Sequence, residues 1–286
     1  MADPTEWGVE CLDLGAYVDR IGYPGPLHPS AATLRGLHRA HIMSISFENL
    51  DAVLGRGIDL DLPAIQDKLV RRPRGGYCHE HNLLFAAALE RLGFAVTRLL
   101  ARPLTSAHPL PRGHCTLLVR ADGRTWLADV GYGGQGPLEP IPLEDGCRVS
   151  QGGWLFRLDR DEREWTLATA GPEGWGDLYA MAPHRYRQPD FEMANYFVST
   201  HPTSPFATDI IVQRNTDAAR YALRGLDLML DRPDGSRHRR RVDPRGLARV
   251  LRTVFGITLT DDEAQRLAII HSQRSTGSAT RSEKAA

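Results

Sequence analysis

The sequence predicts an α+β fold, in which an N-terminal helical bundle is followed by an antiparallel β-barrel. Apolar residues recur at helical spacing as far as Leu92, and short strand-like runs separated by Asp, Gly and Pro follow. A Gly pair stands directly before Cys78, at the predicted start of the last helix of the bundle. The hydrophobic content of 42% across 286 residues is sufficient for a large core.

The first helices are predicted from their caps and breakers. Residues 11–21 form a short amphipathic helix, which the Gly22 to Pro26 segment ends. Ser30 is a good N-cap for a second helix, and Asp61 caps a third. Between these two, residues 45–50 mix apolar and polar side chains without a clear period, so they receive no assignment.

Two histidines lie three residues apart on one face of the second helix, as metal ligands could. They are His38 and His41, and no carboxylate or cysteine with fitting spacing accompanies them. We therefore interpret them as partly buried, hydrogen-bonded histidines.

Cys78 lies in the segment Arg74-Gly75-Gly76-Tyr77-Cys78-His79-Glu80-His81-Asn82, which leads into an apolar helix. Gly93 stands where the C′ residue of that helix is expected. Backbone N–H groups at a helix N-terminus favour negative charge, so a thiol there is stabilised as the reactive thiolate. A free cysteine is more often a small buried hydrophobe. The segment by itself supports either interpretation.

Glu48 lies between Phe47 and Leu50, so its carboxylate is predicted to face inward. A buried carboxylate requires a cationic partner, and arginine can bind it through two nitrogens. Arg74 is the candidate, in a structural ion pair that would hold the Gly turn before Cys78.

The strand region begins at residues 95–102, and residues 103–113, with three prolines, form a loop. Residues 114–120 and 125–130 are predicted to form a hairpin through Asp122-Gly123. In a two-residue turn, opposed residues have numbers that sum to about 245, which places His114 and Asp129 on the same face. The register therefore predicts a hydrogen bond between these two side chains.

The rest of the chain continues with short elements. Strand-like pieces at 154–158 and 164–168 favour an antiparallel sheet or barrel. After them we predict a helix at 190–198, an irregular loop at 199–206, strands near 209–214, 219–224 and 226–230, and helices at 247–255 and 261–270. From Ser272 the composition is that of a frayed tail.

Composition excludes several classes. The chain has 35 Lys+Arg and 35 Asp+Glu residues, so its charge gives no argument for a nucleic acid or an acidic membrane as partner. The arginine-rich run at 237–241 is predicted to be a solvated hairpin strand. No secretory signal, membrane-span run, CxxC pair or disulfide framework is visible, so we expect a cytoplasmic protein with reduced thiols.

A cysteine at a helix start, a histidine on a strand and an aspartate beside it form a nucleophile, a base and an orienting group. In this assignment His114 takes the proton of Cys78, and Asp129 fixes the imidazole tautomer and stabilises its charge. Each residue taken separately is more often structural; their combination favours catalysis.

These residues resemble the motifs of a known enzyme family. Arg74 to Asn82 resembles the RGGxCxExN motif of the arylamine N-acetyltransferases, and Gly113 to Val119 resembles the histidine strand of that family. Asp129 to Gly133 is similar to its DVGFG motif, with Tyr132 in place of the commoner Phe. The resemblance also includes residues 47–50 and 195–206, and it covers nearly the whole chain.

The resemblance implies a cysteine-proteinase-like Cys-His-Asp core in three parts. A helical bundle over residues 1–95 carries Cys78, a β-barrel over 96–198 carries the histidine and the aspartate, and an α/β lid covers 199–271. Residues 272–286 are predicted to be a flexible tail.

The resemblance also implies a ping-pong reaction. Acetyl-CoA would acetylate Cys78, and an arylamine, hydrazine or arylhydroxylamine would then take the acetyl group. The family residues expected near CoA are Gly131, Tyr132, Gly133, Gly134 and Phe206. No metal is expected, because His79 and His81 fill variable motif positions and should diverge from each other at a helix start.

Two other classes stay open at this point. A Cys-His-Asp hydrolase or a transglutaminase-like amide transferase uses the same chain order of triad residues. A binding module with a decayed site would leave Cys78 no more reactive than the other cysteines. The sequence does not determine the natural acceptor, the acyl chain length or the oligomeric state, a homodimer included.

Overall fold

The computed structural model describes residues 6–106 and 108–270. The predicted flexible tail lies outside the described residues. Helices predominate as far as Arg91 and strands follow from Ala95, as predicted. The helices are α1 (Leu14–Ile21), α2 (Ala31–Ser44), α3 (Leu50–Val53), α4 (Leu62–Gln66), α5 (Cys78–Arg91), α6 (Gln188–Thr200), α7 (Pro205–Thr208) and α8 (Leu247–Phe255). A π-helical turn, Asp67–Arg71, extends α4, and residues 261–270 are also helical.

Helix α5 is the buried centre of the N-terminal bundle. Every side chain from Cys78 to Leu89 is buried. Its apolar face shares one core with helices α1 and α2 and with barrel residues such as Leu117 and Ala128. Gly93 follows the helix with a φ of 86°, as expected of a C′ glycine. The helix that begins with Cys78 is therefore packed directly against the strands that position the histidine and the aspartate.

Eight antiparallel strands form the nearly closed barrel that the sequence predicts. They are β2 (Ala95–Pro103), β3 (His114–Ala121), β4 (Arg124–Ala128), β5 (Ile141–Pro142), β6 (Cys147–Gln151), β7 (Trp154–Arg160), β8 (Trp165–Gly171) and β9 (Gly174–Met181). Their order in the sheet is β5-β4-β3-β2-β9-β8-β7-β6. Gln151 links the two ends, since its side chain accepts from the backbone of Leu138 and Glu139 and donates to Glu139.

The predicted hairpin register is confirmed. Leu117 pairs with Ala128 and Val119 with Trp126 across β3 and β4. The turn residues Asp122 and Gly123 have φ values of 49° and 73°, the left-handed backbone that a tight Asp-Gly hairpin turn requires. Asp129 follows the end of β4, on the face that His114 occupies.

The C-terminal part is built on a second antiparallel sheet. Its strands are β1 (Phe47–Glu48), β10 (Ile211–Asn215), β11 (Arg220–Arg224), β12 (Asp227–Asp231) and β13 (Arg237–Arg241), in that order. β1 comes from the segment without a sequence assignment, and it pairs with β10. The predicted bundle and lid are thus joined by backbone hydrogen bonds, while the domain limits at 95 and 198 stay predictions.

Three features of the C-terminal part can be compared with the predictions made from the sequence. The bounds predicted for α8 are confirmed. The prediction of an irregular loop at 199–206 is wrong in part, because α6 continues to Thr200 and the short helix α7 begins at Pro205. All five residues of β13 are exposed, as expected of a solvated strand.

Candidate active site

The Gly turn before Cys78 is held by the predicted ion pair. Arg74 Nε lies 2.8 Å from Glu48 Oε1, and both side chains are buried. A Cβ atom on Gly75 would overlap the carbonyl oxygen of Ser46, and one on Gly76 would lie 2.7 Å from Glu80 Oε2. The turn therefore requires glycine at both positions because neighbouring atoms fill the space.

Glu80 fixes the start of helix α5. Its Oε2 accepts from the backbone N–H of Tyr77 at 2.9 Å, as an N3 glutamate does in a capping box. Its Oε1 lies 2.8 Å from Nζ of Lys68, which also contacts Asp51 at 2.7 Å. No role could be predicted for Lys68, because nothing in the local sequence distinguishes a buried lysine from a solvated one on a predicted helix.

His114 and Asp129 form the predicted hydrogen bond, with 2.6 Å between His114 Nε2 and Asp129 Oδ2. Asp129 Oδ1 accepts from Asn82 Nδ2 and from the backbone N–H of Gly131, each at 3.0 Å. Asn82 Nδ2 also donates to the carbonyl of Cys115. These hydrogen bonds fix the orientation of the Asp129 carboxylate. The amide of Asn82 also connects helix α5 to the hairpin of β3 and β4.

Asn82 positions Asp129, and it is not among the residues predicted for the site. It stands four residues after Cys78, and residues at that spacing lie on one face of a helix. Helical spacing applied to the motif could therefore have placed it beside the site.

Cys78 is 6% exposed, and its sulfur interacts with two imidazoles, those of His79 and His114. Burial opposes the thiolate, but the electrostatic effect of His79 and hydrogen bonds with His114 and His79 lower the pKa of the thiol to about 5. Burial also opposes the imidazolium of His114, yet Asp129 and the thiolate raise the pKa of that ring to about 10. Because Nε2 of His114 is held by Asp129, Nδ1 is the ring nitrogen left for the sulfur.

The rate at which iodoacetamide alkylates Cys78 should follow the pKa values of Cys78 and His114. We expect the rate at Cys78 to rise through about pH 5 and then to stay nearly constant until His114 titrates near pH 10. The thiolate is the reacting form, and it is already the main form within this window. The measurement is the rate of mass increase on the Cys78 peptide across this pH range.

Cys147 is the internal control for this experiment. Burial and Glu144 raise the pKa of its thiol, so its rate should climb only in the alkaline range. A Cys78 rate that rises in parallel with that of Cys147 would contradict the thiolate–imidazolium pair.

The other histidines near the site are structural. Tyr17 donates to His41 Nδ1 at 2.9 Å, His41 Nε2 lies 2.8 Å from His81 Nδ1, and His81 Nε2 lies 3.2 Å from the carbonyl of Ser46. Because the carbonyl of Ser46 can only accept, His81 carries its proton on Nε2 and accepts at Nδ1. His41 must then donate to His81 from its own Nε2, which leaves Nδ1 of His41 to accept from Tyr17. His38 contacts the Leu138 carbonyl.

Burial lowers the pKa of His38 and of His81 to about 4. The prediction of hydrogen-bonded histidines is confirmed, although His38 and His41 are fully rather than partly buried. His79 and His81 diverge as expected, toward the sulfur and toward His41 respectively. Within residues 6–106 and 108–270, no group of three or more His, Cys, Asp or Glu side chains is arranged to hold a metal ion.

The residues predicted to lie near CoA surround the same site. A Cβ atom on Gly131 would lie 2.7 Å from the carbonyl oxygen of Cys78, so the loop approaches the helix start closely. The ring of Tyr132 stands edge-on to His114 at 5.2 Å, and its hydroxyl donates to the carbonyl of Leu178. Phe206 packs in one apolar cluster with Phe47, Tyr77, Cys78 and Val198.

The rest of the glycine segment faces the C-terminal sheet. Gly133 has a φ of 86°, and the N–H of Gly134 donates to Gln213 Oε1 at 2.9 Å. The structure therefore brings all five residues to the site or to its border with the second sheet.

Comparison with known proteins decides the family. A family model described as N-acetyltransferase matches residues 30–264. The chain is 41% identical over 258 residues to the arylamine N-acetyltransferase of Mycolicibacterium smegmatis, covering 87% of this chain and 94% of that protein. This chain belongs to the arylamine N-acetyltransferase family.

Solved structures of arylamine N-acetyltransferases share the whole fold. The Nocardia farcinica structure superposes with a TM-score of 0.89 at 42% identity, covering 94% of this chain and 98% of that one. The Mycobacterium marinum structure, solved in complex with CoA, gives a TM-score of 0.85 at 36% identity and covers 91% and 99%.

Membership in the arylamine N-acetyltransferase family makes the protein an acyltransferase. The comparisons therefore do not support the other classes considered from the sequence, such as a hydrolase or a binding module with a decayed site. The cysteine-proteinase-like fold predicted from the resemblance is confirmed. Among the described helices, none has the length and apolarity needed to cross a membrane.

Proposed function

We propose that this enzyme transfers an acetyl group from acetyl-CoA to arylamines, arylhydrazines or arylhydroxylamines in a ping-pong reaction. Cys78 is the nucleophile, His114 is the base, and Asp129 orients and stabilises the imidazolium. The observation that carries the proposal is the buried Cys78–His114–Asp129 arrangement at the start of helix α5. The CoA complex of the Mycobacterium marinum relative supports the choice of donor.

The first half-reaction begins from the thiolate–imidazolium pair. The sulfur of Cys78 attacks the thioester carbonyl carbon of acetyl-CoA, and a new S–C bond forms as the S–C bond to CoA breaks. The CoA sulfur leaves with the proton from His114, which becomes neutral. The tetrahedral intermediate carries an oxyanion that backbone N–H groups can stabilise, and that of Cys78 is a candidate because the first N–H groups of a helix have no intrahelical partner.

The second half-reaction restores the starting state. The amine nitrogen attacks the carbonyl carbon of the acetyl-cysteine and gives a proton to neutral His114. The S–C bond breaks and its electron pair returns to Cys78, so the products are the amide and the thiolate–imidazolium pair. Arylamines suit this chemistry, because they are largely neutral near pH 7 and need no deprotonation before they attack.

Binding roles are proposed for the surrounding residues. Gly131, Tyr132, Gly133 and Gly134 would approach CoA, since glycines let a ligand come close to the backbone. The cluster of Phe47, Val198 and Phe206 beside the sulfur would form an apolar wall for the acyl group or the aromatic acceptor. The acceptor is proposed to be a small molecule, and the free thiols support a reducing compartment such as the cytoplasm.

Acetyl-CoA without any acceptor tests the proposal. We expect up to one CoA released per active site, together with an acetyl group on Cys78, detected by intact mass and by peptide mapping. Addition of an arylamine should then remove the acetyl group and yield the acetylated amine. No CoA release, or acetylation of a different residue, would contradict the ping-pong mechanism.

A further inference from the structure

A second imidazole contacts the Cys78 sulfur, and the proposed mechanism does not use it. His79 Nδ1 lies 3.3 Å from Cys78 Sγ, and the side chain of His79 has no exposed surface. Neighbouring residues of a helix do not normally face each other. The contact therefore depends on the particular orientation of the His79 ring.

The surroundings of the ring indicate where its proton lies. Nε2 of His79 is buried and has no hydrogen-bond partner among the described residues. Phe191 stands edge-on to the ring at 6.2 Å, and the ring of Tyr77 lies at 5.4 Å. A proton on Nε2 in this aromatic pocket would be a buried donor without an acceptor, which is unfavourable. A proton on Nδ1 has the sulfur as its acceptor.

We propose that His79 is an additional catalytic residue, whose Nδ1–H donates a hydrogen bond to the Cys78 thiolate and stabilises the sulfur as the leaving group when the amine attacks the acetyl-cysteine. This inference rests on the proposed role of Cys78 in acetyl transfer. His114 lowers the pKa of the same sulfur from a separate ring, so two imidazoles stabilise the thiolate.

The charges around the sulfur are consistent with this role. Burial opposes the thiolate, and hydrogen bonds with His114 and with His79 both lower the pKa of the Cys78 thiol. The other titratable groups coupled to the sulfur, besides the His114–Asp129 pair, are Tyr77 and Cys115. Burial raises the pKa of both, so they stay neutral at pH 7 and supply no competing charge.

The two half-reactions respond to this hydrogen bond in opposite directions. A stabilised thiolate leaves more readily, which helps the amine to displace it from the acetyl-cysteine. The same stabilisation makes the thiolate a weaker nucleophile toward acetyl-CoA once the thiol is fully ionised. For thiols, a change of one pKa unit alters such rates by about threefold.

His79→Phe and His79→Asn test the inference. Phe keeps an aromatic ring in the pocket but removes both ring nitrogens, whereas the Asn amide can place a donor near the position of Nδ1. In His79→Phe we expect the pH midpoint of Cys78 alkylation to rise by about one unit. At pH 8, CoA release should become about threefold faster and deacetylation by an arylamine about threefold slower. His79→Asn should restore most of both changes.

Three outcomes would overturn the inference. They are an unchanged alkylation midpoint in His79→Phe, equal effects of the Phe and Asn variants, and equal slowing of both half-reactions, which a packing defect would produce. If His79→Phe does not fold, ring-nitrogen NMR of the wild-type enzyme decides the question. We expect a proton on Nδ1 of His79 whose signal shifts when Cys78 is alkylated, and a bare Nδ1 would contradict the proposal.

Failure of this inference can be distinguished from failure of the proposed function. Alkylation of Cys78 does not require acetyl transfer, so its midpoint tests the His79 hydrogen bond independently. Absence of acetyl-Cys78 in the wild-type enzyme would contradict the ping-pong mechanism whatever His79 does.

Discussion

Replacing Cys78 with alanine is expected to abolish acetyl transfer, lowering turnover by more than about 10⁴-fold. The variant has no sulfur to accept the acetyl group, and His114 and Asp129 have no nucleophile to activate. Incubation with acetyl-CoA should therefore give neither CoA release nor a mass increase. Steady-state turnover and intact mass check both points.

Cys115→Ala is the matched control for this experiment. Cys115 follows His114 in the sequence and is also buried. Its burial raises the pKa of the thiol, so the thiolate does not form near neutral pH. The control variant should keep acetylation of Cys78. Acetyl transfer that survives in Cys78→Ala would exclude Cys78 as the nucleophile, whereas an equal loss in Cys115→Ala would show that the effect is not specific to Cys78.

Replacing Asp129 with asparagine is expected to slow acetyl-enzyme formation by about 10³- to 10⁴-fold, as in other triads whose aspartate is replaced by asparagine. Oδ1 accepts from Asn82 and from Gly131, so the oxygen of the new amide is retained there. The amide nitrogen of the new asparagine then takes the place of Oδ2 and donates a hydrogen bond to Nε2 of His114. The ring must take the tautomer with its proton on Nδ1, which cannot accept the thiol proton.

Two linked changes are expected in Asp129→Asn, and measurements of CoA release by rapid mixing and of alkylation against pH would detect them. The rate of CoA release should fall, and the alkylation midpoint of Cys78 should move up toward the ordinary thiol range. Asp217→Asn is the control, since Asp217 is a solvated partner of Arg39. A near-normal rate in Asp129→Asn would remove Asp129 from the mechanism.

Much of the site could be predicted because it depends on local rules. The Asp122-Gly123 turn fixed the hairpin register, and the register alone brought His114 beside Asp129. Charge complementarity was sufficient to pair Glu48 with Arg74, although they are 26 residues apart. The family motifs added the role of Cys78 and the residues expected near CoA.

Other parts of the site could not be predicted from local pattern. Two-residue strand β1 has no period to recognise, and only its partner β10, more than 160 residues later, makes it a strand. Lys68 looks like any helical lysine until Asp51 and Glu80 surround it. The contact between His79 and the sulfur depends on a side-chain rotation that the aromatic pocket imposes.

The sequence by itself determined which chemical groups are present, which face of the hairpin carries two of them, and where the helix of Cys78 begins. Turn chemistry, capping and side-chain periodicity act within a few residues, and that is why these features can be inferred from the order of the residues. Only the tertiary structure decided how helix α5 meets the barrel and which atoms surround the sulfur. Those distances depend on packing between segments far apart in the chain, such as the barrel strand whose His114 lowers the pKa of Cys78.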